Sequence, residues 1–236
     1  MDRNIHNVLF DLDGTLADTA PDLADTLNQL LQEQGLQPLP FEDIRPTVSH
    51  GSIVMINTAF GMEESDPGFG RLRARFLEIY AARLTSKTRL FQGIVPLLER
   101  LEGSGRNWGV VTNKPDKLTQ PLLQALGIRD RTPCIVSGDT LAFSKPHPAP
   151  MLHACRLLQC NPQETLYVGD ARRDVEAGRN TGMYTLIAAY GYIGPEDDPG
   201  SWGADGMVDE PGKIMEWIEN NEVRSQESGV RSQEKT

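Results

Sequence analysis

Val8-Leu9-Phe10-Asp11-Leu12-Asp13-Gly14-Thr15 decides the reading of this chain. Val8 to Phe10 is a short apolar run that ends at a turn-forming glycine, the pattern of a core strand leaving its sheet. Residues two apart on a strand point to the same side, so Asp11 and Asp13 are expected to project together from the carboxyl end. In an open α/β sheet that end is where ligands bind. Two carboxylates so close repel unless a cation or a shared proton offsets them, and a hard cation such as Mg²⁺, which takes oxygen ligands, is the simplest relief. A surface Asp-x-Asp-Gly turn is the alternative, because Asp and Gly both suit turns.

Outward from this strand, the chain reads in two patterns. Pro21 to Gln34 is predicted to be a helix, with Leu23, Leu27, Leu30 and Leu31 on one face and Gly35 as its stop. Ser52 to Phe60 and Arg71 to Leu84 are predicted to follow as helices, separated by a polar loop from Glu63 to Gly70. Residues 17–86 thus read as all-helical, without a strand. From Gly93 onward helices alternate with short apolar strands: helix Val95 to Leu101, strand Trp108 to Thr112, helix Leu118 to Leu126, strand Cys134 to Val136, helix Ala149 to Leu158, strand Leu166 to Gly169, a helix around Val175, strand Tyr184 to Ala188, an edge strand at Met207-Val208 and a closing helix Gly212 to Asn220. Pro121 sits awkwardly in its helix and argues for a later start. This alternation predicts an α/β fold, a parallel sheet with helices on both faces. The all-helical block reads as a cap inserted after the first strand. The expected domains are 1–16 with 87–222 for the core, 17–86 for the cap and 223–236 for a disordered tail. That tail repeats Val-Arg-Ser-Gln-Glu with one apolar residue per repeat, too few to bury a face.

Composition narrows the function. The chain has 236 residues, 39% of them hydrophobic and 24% charged, as in an ordinary soluble globular protein. Its net charge of −10 argues against nucleic acid as a partner, but leaves room for small anionic substrates. Three cysteines, Cys134, Cys155 and Cys160, have no metal-ligand spacing and suit a reducing, cytoplasmic environment. No stretch approaches the roughly 18 apolar residues of a membrane span, and the start carries no signal-peptide pattern.

Three more polar groups fall at ends of predicted strands. Thr112-Asn113-Lys114-Pro115 closes one strand, where a hydroxyl and backbone N–H groups suit phosphate oxygens, or equally a capped turn. Lys145-Pro146 offers a point charge for a phosphate or for the carboxylates. Asp170 ends Leu166-Tyr167-Val168-Gly169, and Asp174 lies one helical turn on. A helix cap explains Asp170 alone, but not why two apolar strands both end in aspartate.

In this order, Asp11-Leu12-Asp13-Gly14-Thr15, Thr112, Lys145-Pro146 and Gly169-Asp170 with Asp174 resemble the four motifs of the haloacid dehalogenase-like hydrolase superfamily. The resemblance covers all but the tail. It implies a Rossmann-like, doubly wound core with a helical cap, and a phosphatase using Mg²⁺ on a small phosphorylated metabolite. By that resemblance Asp11 is the nucleophile and forms an aspartyl-phosphate, and Asp13 is the acid/base. Thr112 and Asn113 would hold the phosphoryl group and Lys145 would offset its charge. Mg²⁺ would be held by Asp11, the Asp13 backbone carbonyl and Asp170, with Asp174 as a further ligand or support. Asp13 separates the chain from the metal-independent dehalogenases, which lack it. The general pattern resembles phosphoglycolate phosphatases. Segments such as Leu90-Phe91-Gln92-Gly93, Trp108 to Pro115, Tyr190-Gly191-Tyr192-Ile193 and Trp202-Gly203-Ala204-Asp205 are similar to N-acetylmuramic acid 6-phosphate phosphatases. The cap and the segment 190–205 are therefore expected to set the substrate, with Arg45, Ser49, His50 and Gly51 as cap contacts. A sugar phosphomutase and a catalytically silent phosphate-metabolite sensor are the alternatives. Oligomeric state is not legible.

Overall fold

The sheet is built from the apolar runs, as their lengths dictate. In the computed structural model, which describes residues 4–233, β1 (Asn7–Phe10) leads through β2 (Ala17–Asp18) into a helical block. That block comprises α1 (Ala20–Glu33), α2 (Phe41–Ile44), a 3₁₀ stretch Arg45–His50, α3 (Gly51–Phe60) and α4 (Phe69–Arg83). The chain returns through β3 (Arg89–Leu90) to α5 (Ile94–Gly103), β4 (Asn107–Val111), α6 (Asp116–Ala125), β5 (Ile135–Val136) and α7 (Ala149–Leu158). It closes with β6 (Thr165–Gly169), α8 (Arg172–Arg179), β7 (Tyr184–Ala188), β8 (Gly206–Val208) and α9 (Gly212–Gln233). Among the described residues no helix is long and apolar enough to cross a membrane.

Six strands form one parallel sheet in the order β5-β4-β1-β6-β7-β8. Alternation along the strands sorts the core to two faces. Val8, Phe10, Trp108, Val110, Leu166 and Val168 meet the apolar faces of α5, α6 and α9. Leu9, Val111 and Tyr167 meet Met151, Ala154 and Cys155 of α7 and Ala177 of α8 on the other side. The doubly wound α/β expectation is met.

β1 is central, and register brings the site together. Phe10 lies beside Val110 of β4 and Val168 of β6. Asp11, Thr112 and Asp170 therefore emerge from three adjacent strands, roughly 4.8 Å apart from one to the next. The chain also turns left and right from β1 here, which opens the crevice typical of such sheets.

Several expectations need correction. Segment 17–86 is not purely helical, because Ala17–Asp18 pairs antiparallel with Arg89–Leu90. This two-residue ribbon is too short for any periodicity to reveal. α6 begins earlier than expected, at Asp116, and carries Pro121 inside it; the buried Leu118, Leu122 and Leu123 outweigh the one backbone bond that proline forfeits. α9, expected to stop at Asn220, stays helical to Gln233, through most of the tail expected to be disordered. Extending a helix already docked through Ile214, Met215 and Ile218 avoids the cost of nucleation, and Glu, Gln and Arg are good helix formers. The last three tail residues, 234–236, lie outside the described residues.

The junction of helical block and sheet is held by polar groups. Asp22, fully buried in α1, accepts from the backbone N–H of Lys87 at 2.9 Å and from both the N–H and the hydroxyl of Thr88 at 2.8 Å. Asp22→Ala would strand these donors, each worth about 1–3 kcal/mol when buried and unmet. We expect a loss of about 3 kcal/mol in urea unfolding, with Asp22→Asn less severe; a loss below about 1 kcal/mol would disprove the role assigned to these bonds. The start of α1 is capped from the core: the Tyr192 hydroxyl accepts from the N–H of Thr19 and Ala20 at 2.6 and 2.9 Å, and donates to Asp18 at 2.8 Å.

Candidate active site

Asp11 leaves β1 already buried, with its backbone N–H donating to the Val168 carbonyl. One carboxylate oxygen, Oδ1, accepts from the Leu12 N–H at 2.8 Å and lies 2.9 Å from Lys145 Nζ; Oδ2 lies 3.9 Å from Arg173. Burial alone would raise the pKa of this group. The charges of Lys145 and Arg173 and the hydrogen bonds to it prevail, so Asp11 sits below the usual carboxylate range.

Lys145 is enclosed. Its Nζ lies 2.9 Å from Asp11 and 2.8 Å from Asp174, and it donates to the Val111 carbonyl at 2.9 Å and the Tyr167 hydroxyl at 2.7 Å. A flexible ammonium with three protons is thus fixed by four oxygens. Its backbone is fixed as well, since the Asn113 amide donates to the Lys145 carbonyl and accepts from the Lys145 N–H, both at 3.0 Å. Both ends of Asn113 are therefore committed to Lys145. Asn113 lines the cavity as expected, and its side chain in addition positions Lys145. Thr112 does face the cavity, and its hydroxyl accepts from the Lys114 N–H at 3.2 Å while its own proton stays free to donate.

Asp170 accepts from Ser49 Oγ at 2.6 Å and from the Tyr192 N–H at 2.9 Å. Burial, then the charges of Asp11 and Asp174, push its pKa up to about 7. One oxygen from each of Asp11, Asp170 and Asp174 falls within 4.8 Å of the others, and all three residues are buried. Three crowded carboxylates, two of them, Asp170 and Asp174, resisting ionisation because they are buried, form an all-oxygen donor set that fits a hard divalent cation. Two glycines make the approach of chains possible here. A Cβ on Gly14, at φ +80°, would come 2.1 Å from Asp170 Oδ2, and one on Gly191 would come 2.5 Å from the Gly14 carbonyl.

Asp13 points elsewhere. Its Oδ1 accepts from Thr19 Oγ1 at 2.6 Å and lies 2.9 Å from Lys114 Nζ. Its carboxylate is separate from the three-carboxylate set, so any metal contact falls to its backbone carbonyl. Lys114 in turn donates to the Tyr80 hydroxyl at 3.0 Å and lies 4.6 Å above that ring. Burial opposes the charge on Lys114, but Asp13 and Tyr80 more than offset it and hold the ammonium protonated above its usual range. Burial pushes the Tyr80 phenol up to about 12, so it stays neutral.

Asp11, Asp13, Tyr80, Thr112, Lys114 and Arg173 line one end of a 360 Å³ cavity between sheet and helical block, with Lys145, Asp170 and Asp174 buried behind Asp11. Ser49, His50 and Gly51 line it as expected, although the Ser49 hydroxyl is spent on Asp170. Arg45 does not. Its guanidinium donates to the Tyr190 carbonyl at 3.3 Å and lies 4.9 Å over the Tyr192 ring, binding helical block to core. The segment 190–205 contributes nothing to the lining either, contrary to expectation. Tyr190 and Tyr192 brace the Thr15 carbonyl, Asp170 and α1 instead. Lys114, Tyr80, Arg73 and Arg173 are the cavity residues that the sequence reading missed. Lys114 and Arg173 lie inside the motifs themselves, which was a usable signal; Tyr80 and Arg73 had none.

Residues 8–188 match the family model described as haloacid dehalogenase-like hydrolase. The chain belongs to this haloacid dehalogenase-like hydrolase family. Its fold is the family's Rossmann-like core with a helical cap, and the helical block is that cap. The chain is 42% identical to the N-acetylmuramic acid 6-phosphate phosphatase of Pseudomonas putida, over 90% of this chain and 96% of that one. It is 43% identical to a phosphoglycolate phosphatase of Xanthomonas campestris, over 89% and 94% respectively. Among solved structures, one described as a predicted phosphoglycolate phosphatase from Haemophilus somnus superposes with a TM-score of 0.80 at 29% identity, over 90% of this chain and 97% of that one. This hydrolase thus matches relatives of two names at nearly equal identity, so identity by itself does not choose a substrate.

Proposed function

We propose that the chain is a Mg²⁺-dependent phosphatase acting through an aspartyl-phosphate, with N-acetylmuramic acid 6-phosphate as its substrate. The observation that carries the reaction is the buried Asp11–Lys145 pair beside Asp170 and Asp174, opening into a cavity lined by Thr112. Asp11 attacks phosphorus, the bond from phosphorus to the ester oxygen breaks, and Asp13 gives that oxygen a proton. Water then attacks the aspartyl-phosphate and passes a proton to Asp13, releasing phosphate and regenerating Asp11. A carboxylate and a phosphate dianion repel, and Lys145 and Arg173 offset this at the nucleophile. Thr112 donates to a phosphoryl oxygen as charge spreads over it. Asp11, Asp170, Asp174 and the Asp13 carbonyl would hold Mg²⁺, which supplies further positive charge at the phosphoryl oxygens.

The cavity supports the larger substrate. At 360 Å³ it falls in the range of roughly 300–1,000 Å³ that encloses sizeable organic ligands, well beyond what a two-carbon acid fills. Phosphoglycolate is the second reading, favoured by the 43% identical relative. Residues 17–86 are assigned to the cap and 1–16 with 87–222 to the core, supported by the β2–β3 ribbon at the junction. A cytoplasmic location belongs to the same reading and is supported by the sparse, unpaired cysteines.

The kcat/KM for N-acetylmuramic acid 6-phosphate is expected to exceed that for phosphoglycolate, and the reverse order would transfer the assignment to phosphoglycolate. Turnover is expected to vanish in EDTA and return with Mg²⁺. Mg²⁺ at a hundredfold excess over its Kd should add about 2.7 kcal/mol of stability, which at about 2–4 °C per kcal/mol raises Tm by about 5–10 °C. An unchanged Tm together with EDTA-resistant turnover would rule out the metal.

A further inference from the structure

The cap end of the cavity holds a guanidinium that no carboxylate answers. Arg73 of α4 lines the cavity, and its Nε donates to Ser52 Oγ on α3 at 3.3 Å. Among the described residues its two terminal nitrogens have no hydrogen-bond partner and it makes no ion pair. Of the other arginines of α4, Arg75 pairs with Glu33 and Arg83 with Asp25, and Arg71 does not line the cavity. The lining also includes Ile53, Met55 and Leu77, and apolar walls strengthen the attraction between a guanidinium and an anion that reaches it. An arginine fork matches a carboxylate in two parallel hydrogen bonds.

Its position along the helix sets a length. Arg73, Leu77 and Tyr80 share one face of α4. Arg73 precedes Tyr80 by two turns, roughly 10 Å at 1.5 Å per residue. Tyr80 marks the chemical end of the cavity, through its bond to the lysine that holds Asp13. We propose that Arg73 is a specificity-determining residue that binds a carboxylate on the substrate remote from the scissile phosphate. The inference rests on the phosphatase reading above and sharpens it to one substrate class, phosphate monoesters whose second, anionic group lies across a sugar-sized spacer. In phosphoglycolate three bonds separate phosphorus from the carboxyl carbon, about 4 Å at roughly 1.5 Å per bond, too short to span the two ends. In N-acetylmuramic acid 6-phosphate eight bonds intervene across the ring, and the lactyl carboxylate reaches Arg73 while the phosphate sits at Asp11.

The test uses a pair of sugars that differ only in the lactyl group, N-acetylmuramic acid 6-phosphate and N-acetylglucosamine 6-phosphate. Losing a hydrogen-bonded charge pair corresponds to a factor of about 10–100. The wild-type ratio of kcat/KM for the first over the second is expected to be of that order, to collapse towards one in Arg73→Leu, and to recover in part in Arg73→Lys. Tm of each variant is measured alongside, and Arg73→Gln replaces the leucine variant if that one is unfolded. A wild-type ratio near one, or a variant that slows both sugars equally, overturns the role of Arg73 while the phosphatase reading survives on turnover of p-nitrophenyl phosphate. Absence of Mg²⁺-dependent turnover on all three compounds overturns the phosphatase reading itself.

Discussion

Asp11→Asn is expected to lower kcat by roughly 10⁴-fold or more, because the amide offers no nucleophilic oxygen and no other carboxylate occupies its place. The loss should be chemical and not structural. Asparagine keeps the shape of the side chain, its carbonyl oxygen still accepts from the Leu12 N–H, and Lys145 keeps Asp174 at 2.8 Å. Asp13→Asn should differ in kind. It leaves the nucleophile intact but removes the proton donor for the ester oxygen and the base for the attacking water, so turnover should fall for every substrate, while formation of the aspartyl-phosphate from p-nitrophenyl phosphate, with its activated leaving group, should slow much less than from a sugar phosphate. Single-turnover measurements on both variants, with circular dichroism as a check on folding, decide the matter. If Asp11→Asn retained even a hundredth of wild-type kcat, Asp11 could not be the nucleophile.

Lys145→Met is expected to have the largest effect on stability, about 3–5 kcal/mol, since it strips a buried ion pair of one partner. The sign of its pH dependence follows from the carboxylates left behind. Asp170 already titrates near 7 in the fold against a reference of 3.8. A carboxyl raised on folding binds its proton more tightly in the native state. The fold therefore loses stability as pH rises from about 4 to 7 and gains it on acidification. Asp11 is the opposite case in the wild type: held low by Lys145 and Arg173, it adds stability above 3.8 that is lost as pH falls through its lower folded value. Without Lys145 that contribution shrinks, and all three carboxylates favour protonation. In EDTA, urea unfolding should show Lys145→Met closer to wild type at pH 5 than at pH 7.5. A deficit that is equal at both pH values would show that Lys145 acts through packing and not through charge. Restoration by Mg²⁺ at pH 7.5 would be a further sign that the deficit is electrostatic.

How far the sequence carried depends on where each group's neighbours come from. Asp11, Thr112 and Asp170 were legible because each ends an apolar run, and a parallel sheet aligns such ends by register alone. Lys145, in the loop between β5 and α7, was legible only from its place among the motifs. Groups fixed by contacts between cap and core were not legible. Arg45 looked like a substrate contact because it sits on the cap near Ser49 and His50, yet the Tyr192 ring and the Tyr190 carbonyl capture it. Tyr80 and Arg73 read as ordinary members of a helix with Phe76 and Ile79 on its buried face. Only the docking of α4 over the cavity separates them from packing residues. For Asn113 the loop was legible but its bonds to Lys145 were not, since no spacing rule reveals that both ends of its amide are used on a residue 32 positions away.

The β2–β3 ribbon has an evolutionary and practical consequence. The chain leaves the catalytic core at Ala17–Asp18 and re-enters it at Arg89–Leu90, two points joined as neighbouring strands and so only about 5 Å apart. To the sheet, everything between them is a single closed loop, whose length changes the entropy of closure only logarithmically. The intervening module can lengthen, shrink or be exchanged for another with the nucleophile, its lysine and the acidic triad left in register. A chimera joined at these strands would carry a new substrate preference onto the same nucleophile and lysine, provided the new module replaces the hydroxyls that Ser49 offers Asp170 and Tyr80 offers Lys114.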